Sequence, residues 1–209
     1  MTEDSAGPNE SDVDKRHAEQ KARQKAARAK IMAAKTEERG LLIVHTGTGK
    51  GKSTAAFGMA LRCLGHGMRV GIVQFVKGAW ATGERSVLER FPELVDFRAM
   101  GEGFTWETQD RPRDIAAAEA AWAAARAMID DDGYRLVILD EINIALRYSY
   151  LDVSTVVAAL AVRRPGRHIV ATGRNAPAEL IEAADLVTEM TLVKHPFRSG
   201  VKAQQGIEF

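Results

Sequence analysis

From Leu41 to Gly65 the chain reads LLIVHTGTGKGKSTAAFGMALRCLG, an apolar run, a turn of glycines and lysines, and a stretch with helical character. Strand, glycine-rich turn and helix in that order is the context in which a turn cradles phosphate. Gly47, Gly49 and Gly51 carry no Cβ, so backbone N–H groups from Gly47, Thr48, Gly49, Lys50 and Gly51 can converge on phosphate oxygens at a helix N-terminus. Lys52 then neutralises the anion. Ser53 offers a hydroxyl to a Mg2+ that bridges phosphate oxygens, and Thr54 caps or supports the helix start. Against the pattern G-x-x-x-x-G-K-[ST], Thr46 stands at the first glycine position and Lys50 is an additional lysine inside the loop. The loop binds a triphosphate on this reading, but glycine spacing does not name the bond that breaks.

Downstream, short apolar runs alternate with helical stretches, the pattern of a parallel sheet covered by helices. Strands are expected near Leu41 to His45, Arg69 to Phe75, Val95 to Met100, Leu136 to Asp140, His168 to Thr172 and Leu186 to Thr191. Helices are clearest at Ser53 to Gly65, Arg113 to Asp130, Val153 to Arg163 and Ala178 to Ala184. The fold class is therefore α/β and P-loop NTPase-like, a mostly parallel β-sheet flanked by helices, with a basic helix ahead of it.

Three segments organise the 209 residues. Residues 1–13 are acidic, contain Gly7 and Pro8, and lack the apolar surface that offsets ordering entropy, so a disordered tail is expected. Residues 14–39 are rich in Ala, Lys, Arg, Gln and Glu, good helix formers without a core face. That helix is either solvated or docks through polar contacts on something else, with a nucleic-acid arm as the alternative. Residues 40–209 form the folded domain. A net charge of +1 marks no polyanion specialist, and one cysteine, Cys63, permits no intrachain disulfide. The N-terminus has no basic-then-apolar leader, and apolar runs fall short of a membrane span, so a cytoplasmic protein without membrane or nucleic-acid partners is expected.

The second part of a nucleotide site is an apolar strand ending in a carboxylate, and RLVILDE (Arg135 to Glu141) supplies it. Asp140 or Glu141 reaches the metal or its waters from that tip. Gln74, Phe75 and Lys77 follow the second strand and Arg174 with Asn175 the fifth, again at carboxyl ends where ligands of open α/β sheets bind. His45 and His195 are expected to be structural. GEGFTWETQD places Phe104 and Trp106 in a glycine-flanked loop, where they either anchor it in the core or face a ligand.

In order, TGTGKGKSTAAFG, VGIVQFVKG, ATGERSVLE, GFTWETQ, VILDEIN, ATGRN and VKHPFRSGVKAQQGIEF make the chain similar to the P-loop corrinoid adenosyltransferases of cobalamin biosynthesis, over most of its length. This resemblance implies transfer of the 5′-deoxyadenosyl group of ATP to the Co(I) centre of a reduced corrinoid, with triphosphate released and C5′–O as the broken bond. It also implies that ATP lies in the loop in reversed sense, so that C5′ faces the acceptor. The implied catalytic residues are Lys52, Phe104, Trp106 and Glu141, with Arg174 beside the phosphates or the corrinoid and Ser53, Asp140 and Glu141 toward the metal. Phe104 and Trp106 are implied to crowd the lower corrin face and displace its axial ligand, which eases reduction of Co(II). The family likeness further implies a homodimer, an N-terminal helix that covers the partner's site, and an electron-donor protein such as a flavoprotein. The competing reading is a P-loop ATPase of the strand-exchange or motor class acting on nucleic acid, which would yield ADP and phosphate.

Overall fold

The computed structural model describes residues 10–76, 82–101 and 110–207. They fall in two units, Met1–Glu38 and Arg39–Phe209. The first holds α1 (Glu10–Ala33), exposed along residues 13–33, as its polar composition requires. Residues 10–13, read above with the tail, are helical, because each residue added to an existing helix gains a hydrogen bond without a new nucleus. The helix ends at Ala33 rather than Arg39. β-Branched Thr36 and the acids Glu37 and Glu38 are poor occupants of the negative end of a helix dipole.

The second unit is built on six strands, β1 (Leu42–Thr46), β2 (Arg69–Gln74), β3 (Val95–Ala99), β4 (Tyr134–Asp140), β5 (His168–Thr172) and β6 (Leu186–Glu189). Their order is β3-β2-β4-β5-β1-β6, and every pairing is parallel. Around them lie α2 (Lys52–Leu64), α3 (Gly83–Leu88), α4 (Arg111–Asp130), α5 (Ile142–Arg147), α6 (Val153–Ala161) and α7 (Ala178–Ala183). The short α3 and α5, six residues each, span too few turns for apolar periodicity to mark them in the sequence.

Side-chain alternation along the strands separates two core layers. Leu42, Val44, Val73, Val137 and Leu139 pack with Ala121, Ala125 and Met128 of α4, Val156 and Leu160 of α6 and Leu180 of α7. Ile43, Val70, Ile72, Leu136 and Ile138 pack with Ala56, Phe57 and Ala60 of α2 and Leu88 of α3. With both faces covered, the inner strands read as continuous apolar runs. The alanines of α4 are small enough to bring the helix close to the sheet.

Register decides what stands at the carboxyl edge. Gln74 pairs with Asp140, and His45 with Thr172, so polar residues at or next to the ends of four adjacent strands arrive together. At the opposite edge the buried Arg167, just before β5, donates to the carbonyls of Met128 at 2.7 Å and of Ile129 and Asp131, the last turn of α4. A cation on orphan helix carbonyls satisfies them and complements the dipole. Arg167→Ala is expected to lower unfolding free energy by about 3 kcal/mol, since hydrogen bonds to a charged group contribute roughly 1.5–3 kcal/mol each and strand and helix lose their tie. Urea denaturation against the exposed Arg198→Ala control checks this; equal stabilities would show that the helix end is held by packing alone.

Candidate active site

At the end of β1 the chain must turn within five residues to begin α2 at Lys52. Gly47 makes that turn at φ +93°, and a Cβ there would stand 2.5 Å from the Met190 carbonyl oxygen. The segment after β6 closes the back of the loop: Met190 N donates to Thr46 O at 2.9 Å, and Gly49 N donates to Met190 O at 2.6 Å. Thr46, at the position of the missing first glycine, uses its hydroxyl to accept from Ala176 N at 3.0 Å. The irregular spelling thus has a structural use, a tie between the ends of β1 and β5.

Lys52 is buried, and its ammonium donates to the carbonyls of Gly47, at 3.0 Å, and Gly49. Burial pushes its pKa below the ordinary lysine value; the Glu141 charge opposes that shift, and Arg174 and Lys50 add to it. His45 Nδ1 lies 3.2 Å from the Lys52 carbonyl oxygen, so this histidine supports the loop from beneath. The N-cap of α2 is Gly51, which has no side chain to cap it; Thr54, expected to cap or support the helix start, is a residue inside the first turn.

In front of the loop is a cavity of about 210 Å³. Gly49, Lys50, Gly51, Lys52, Ser53 and Thr54 form one wall, and Glu141 and Arg174 come from the tips of β4 and β5. Gly47 acts from behind through its carbonyl, and Thr48 is exposed and off the wall. Two further wall residues are Glu84 of α3 and Ile207 near the C-terminus. Neither was singled out as a site residue, although both stand in segments that carry the resemblance, ATGERSVLE and the GIEF tail. Their contribution depends on chain folding across long sequence separations, which no local pattern encodes.

The paired acids at the tip of β4 have different surroundings. Asp140 is fully buried, and its carboxylate accepts from Thr172 Oγ1 at 2.7 Å and Gln74 Nε2 at 2.8 Å. Gln74 therefore serves the sheet. Glu141 is turned to the cavity by a left-handed backbone, φ 64°, uncommon for a residue with a Cβ. Its N–H donates to Thr172 Oγ1 at 2.9 Å, which holds that conformation. His195 accepts from Phe197 N at 3.1 Å and meets its ring edge-on, a local packing role. Cys63 is part-buried in α2 and burial raises its thiol pKa. Phe104, Trp106 and Lys77 lie outside the described residues.

The arrangement is a cationic, glycine-walled recess with one carboxylate turned in from a strand tip, suited to a magnesium-bound polyphosphate. The sequence model of the family "ATP:corrinoid adenosyltransferase BtuR/CobO/CobP" matches residues 38–209. A corrinoid adenosyltransferase of Sinorhizobium sp. is 61% identical over 204 residues, 97% of this chain and 95% of the relative. One from Pseudomonas aeruginosa is 56% identical over 202 residues, 96% of this chain and all of the relative. The corrinoid adenosyltransferase CobA of Salmonella typhimurium is 47% identical over 178 residues, 85% of this chain and 90% of the relative. With the phosphate loop, the turned-in Glu141 and Arg174 all inside the matched region, the chain belongs to the ATP:corrinoid adenosyltransferase family.

Proposed function

We propose that this chain transfers the 5′-deoxyadenosyl group of ATP to the Co(I) centre of a reduced corrinoid. The observation that carries this is the family match across residues 38–209, which contains every wall residue of the loop cavity. In the reaction the Co(I) electron pair forms the bond to C5′, the C5′–O bond breaks, and its electrons leave on triphosphate. The nucleophile is the substrate's own metal, so the protein's work is to hold the leaving group and the corrinoid in line.

Lys50, Lys52 and Arg174 bring three cations to the cavity against the carboxylates of Glu84 and Glu141. The excess of positive charge stabilises the triphosphate as charge builds on it, and it is preorganised by the hydrogen bonds that hold Lys52 to the loop carbonyls. Ser53 and Glu141 present hard oxygen donors to the same cavity. They fit magnesium, which takes one or two protein oxygens plus phosphates and needs no cluster of carboxylates. Among the described residues no three His, Cys, Asp or Glu side chains gather into such a cluster. Bound there, the ion would screen charge on the departing triphosphate. Asp140, closed in by Gln74 and Thr172, supports Glu141 from within the sheet.

Phe104 and Trp106 act on the corrinoid's lower face and favour four-coordinate Co(II), which accepts an electron more readily. The enzyme works in the cytoplasm as a homodimer fed by an electron-donor protein such as a flavoprotein, with the basic α1 as a cover for a neighbouring site. These roles are supported by the resemblance carried by GFTWETQ and by the polar surface of α1. Among the described residues no helix is long and apolar enough to cross a membrane.

Incubation with MgATP and chemically reduced cob(I)alamin is expected to give light-sensitive adenosylcobalamin and stoichiometric triphosphate. ADP and phosphate with an unaltered corrinoid spectrum would instead place the protein among nucleotide hydrolases. Trp106→Ala is expected to bind MgATP normally and to lose the four-coordinate Co(II) spectrum; an unchanged spectrum refutes the aromatic role. Lys52 gives a pH signature. Its free-protein pKa is depressed by burial, and bound triphosphate raises it again. Between those two values the complex holds a proton the free protein lacks, so binding takes up a proton and weakens as pH rises through the window. Calorimetry in alkaline buffers of different ionisation enthalpy should register this uptake, and Lys52→Arg, which does not deprotonate, should remove it.

A further inference from the structure

We propose that Asn143 is a positioning residue: through Gly173 it sets the direction in which Arg174 meets the triphosphate. Asn143, near the start of α5, is fully buried, and its Nδ2 donates to Gly173 O at 2.8 Å. On the other side Gly173 N donates to His45 O at 3.2 Å. Both peptide groups of one glycine are thus held, one by the strand that feeds the phosphate loop and the other by the helix that follows Glu141. Gly173 sits at φ +130°, and a Cβ there would stand 2.8 Å from Asn143 Cβ and 3.2 Å from Glu141 Oε2. The site therefore requires glycine, and glycine leaves the next peptide plane free to rotate unless something holds its carbonyl. Asn143 is the side chain that holds it.

The choice of an amide at this position points to the same role. Asn143 Oδ1 is buried with no hydrogen-bond partner among the described residues. An unpaired buried acceptor is destabilising; leucine, with as many side-chain heavy atoms, would remove this one but leave the buried Gly173 carbonyl without its donor. Arg174 is the residue immediately after that carbonyl and stands on the cavity wall with Lys50 and Lys52. A lost donor is felt there first, since small misplacements of a binding group cost rate steeply.

This role presupposes that Arg174 serves the triphosphate in the adenosyltransferase reading, and the experiment separates the two. Asn143→Leu, Asn143→Ala, Arg174→Ala and the Asn143→Leu/Arg174→Ala double variant are purified and assayed with varied ATP and varied cob(I)alamin, alongside urea denaturation. Asn143→Leu is expected to stay folded in the urea titration with a somewhat lowered midpoint, since the Gly173 carbonyl loses its donor, to lose roughly tenfold to a hundredfold in kcat/KM for ATP, and to keep its KM for the corrinoid. In the Arg174→Ala background the Asn143 substitution is expected to have no further effect, the mark of two residues acting as one unit. Should Asn143→Leu fold poorly, Asn143→Ala carries the same assay without a branched side chain. If Arg174→Ala lowers kcat/KM for ATP and the Asn143 variants do not, or if their effects simply multiply, the positioning role is wrong while the site reading stands. If Arg174→Ala itself leaves kcat/KM for ATP unchanged, the placement of Arg174 on the triphosphate fails, and the role of Asn143 falls with it.

Discussion

The site depends on one buried carboxylate. Asp140 ends the central strand β4, out of contact with water, and a carboxylate in that position is costly unless its oxygens are hydrogen-bonded. Gln74 from β2 and Thr172 from β5 bind one oxygen each, so the charge is accommodated only when three strand tips stand in register. The same Thr172 hydroxyl accepts from the Glu141 N–H, and the cavity-facing acid inherits its place from the hidden one. Two adjacent acids thus divide the work of support and contact, a division made by environment rather than by residue type.

The same economy holds the phosphate loop. Lys52 is carried on the loop's own carbonyls, the loop leans on Met190, and His45 reaches both the Lys52 carbonyl and, through its backbone, Gly173. Cations, acid and backbone donors are consequently parts of one hydrogen-bonded edge. Such an edge suits a reaction in which the protein contributes no nucleophile and must supply orientation and charge compensation in advance. It also accounts for the depressed Lys52 pKa, since a lysine held ready for an anion is a lysine withdrawn from water.

Much of this was legible along the chain. The phosphate loop, the acid-tipped strand β4 and Arg174 after β5 sit in local patterns, because a glycine-rich turn between strand and helix and an apolar run ending in acid are chemical signatures over a few residues. The strand positions followed from apolar runs; β2 and β3 each end one residue earlier than expected, at Gln74 and Ala99, and β6 two earlier, at Glu189, where its pairing with β1 stops. Asp140 and Glu141 looked equivalent in sequence, and so did Gln74 and Arg174 as strand-end candidates. Their separation into internal ties and cavity wall required the register of β2, β4 and β5. Glu84, Ile207 and Asn143 belong to the same class: a side chain's role there is set by what lies across the sheet edge.

The sequence by itself determined that this chain builds a phosphate-binding α/β sheet and, through seven ordered segments, which family's chemistry it carries out. Those properties are local in the chain, or repeated along it, and survive without coordinates. Only the tertiary structure decided which acid faces the cavity, what Thr46 does in place of glycine, and how a buried amide comes to hold the backbone before Arg174. Each of these arises where residues tens of positions apart meet at the carboxyl edge, and parallel strand register, a property of the folded sheet, is what brings them together.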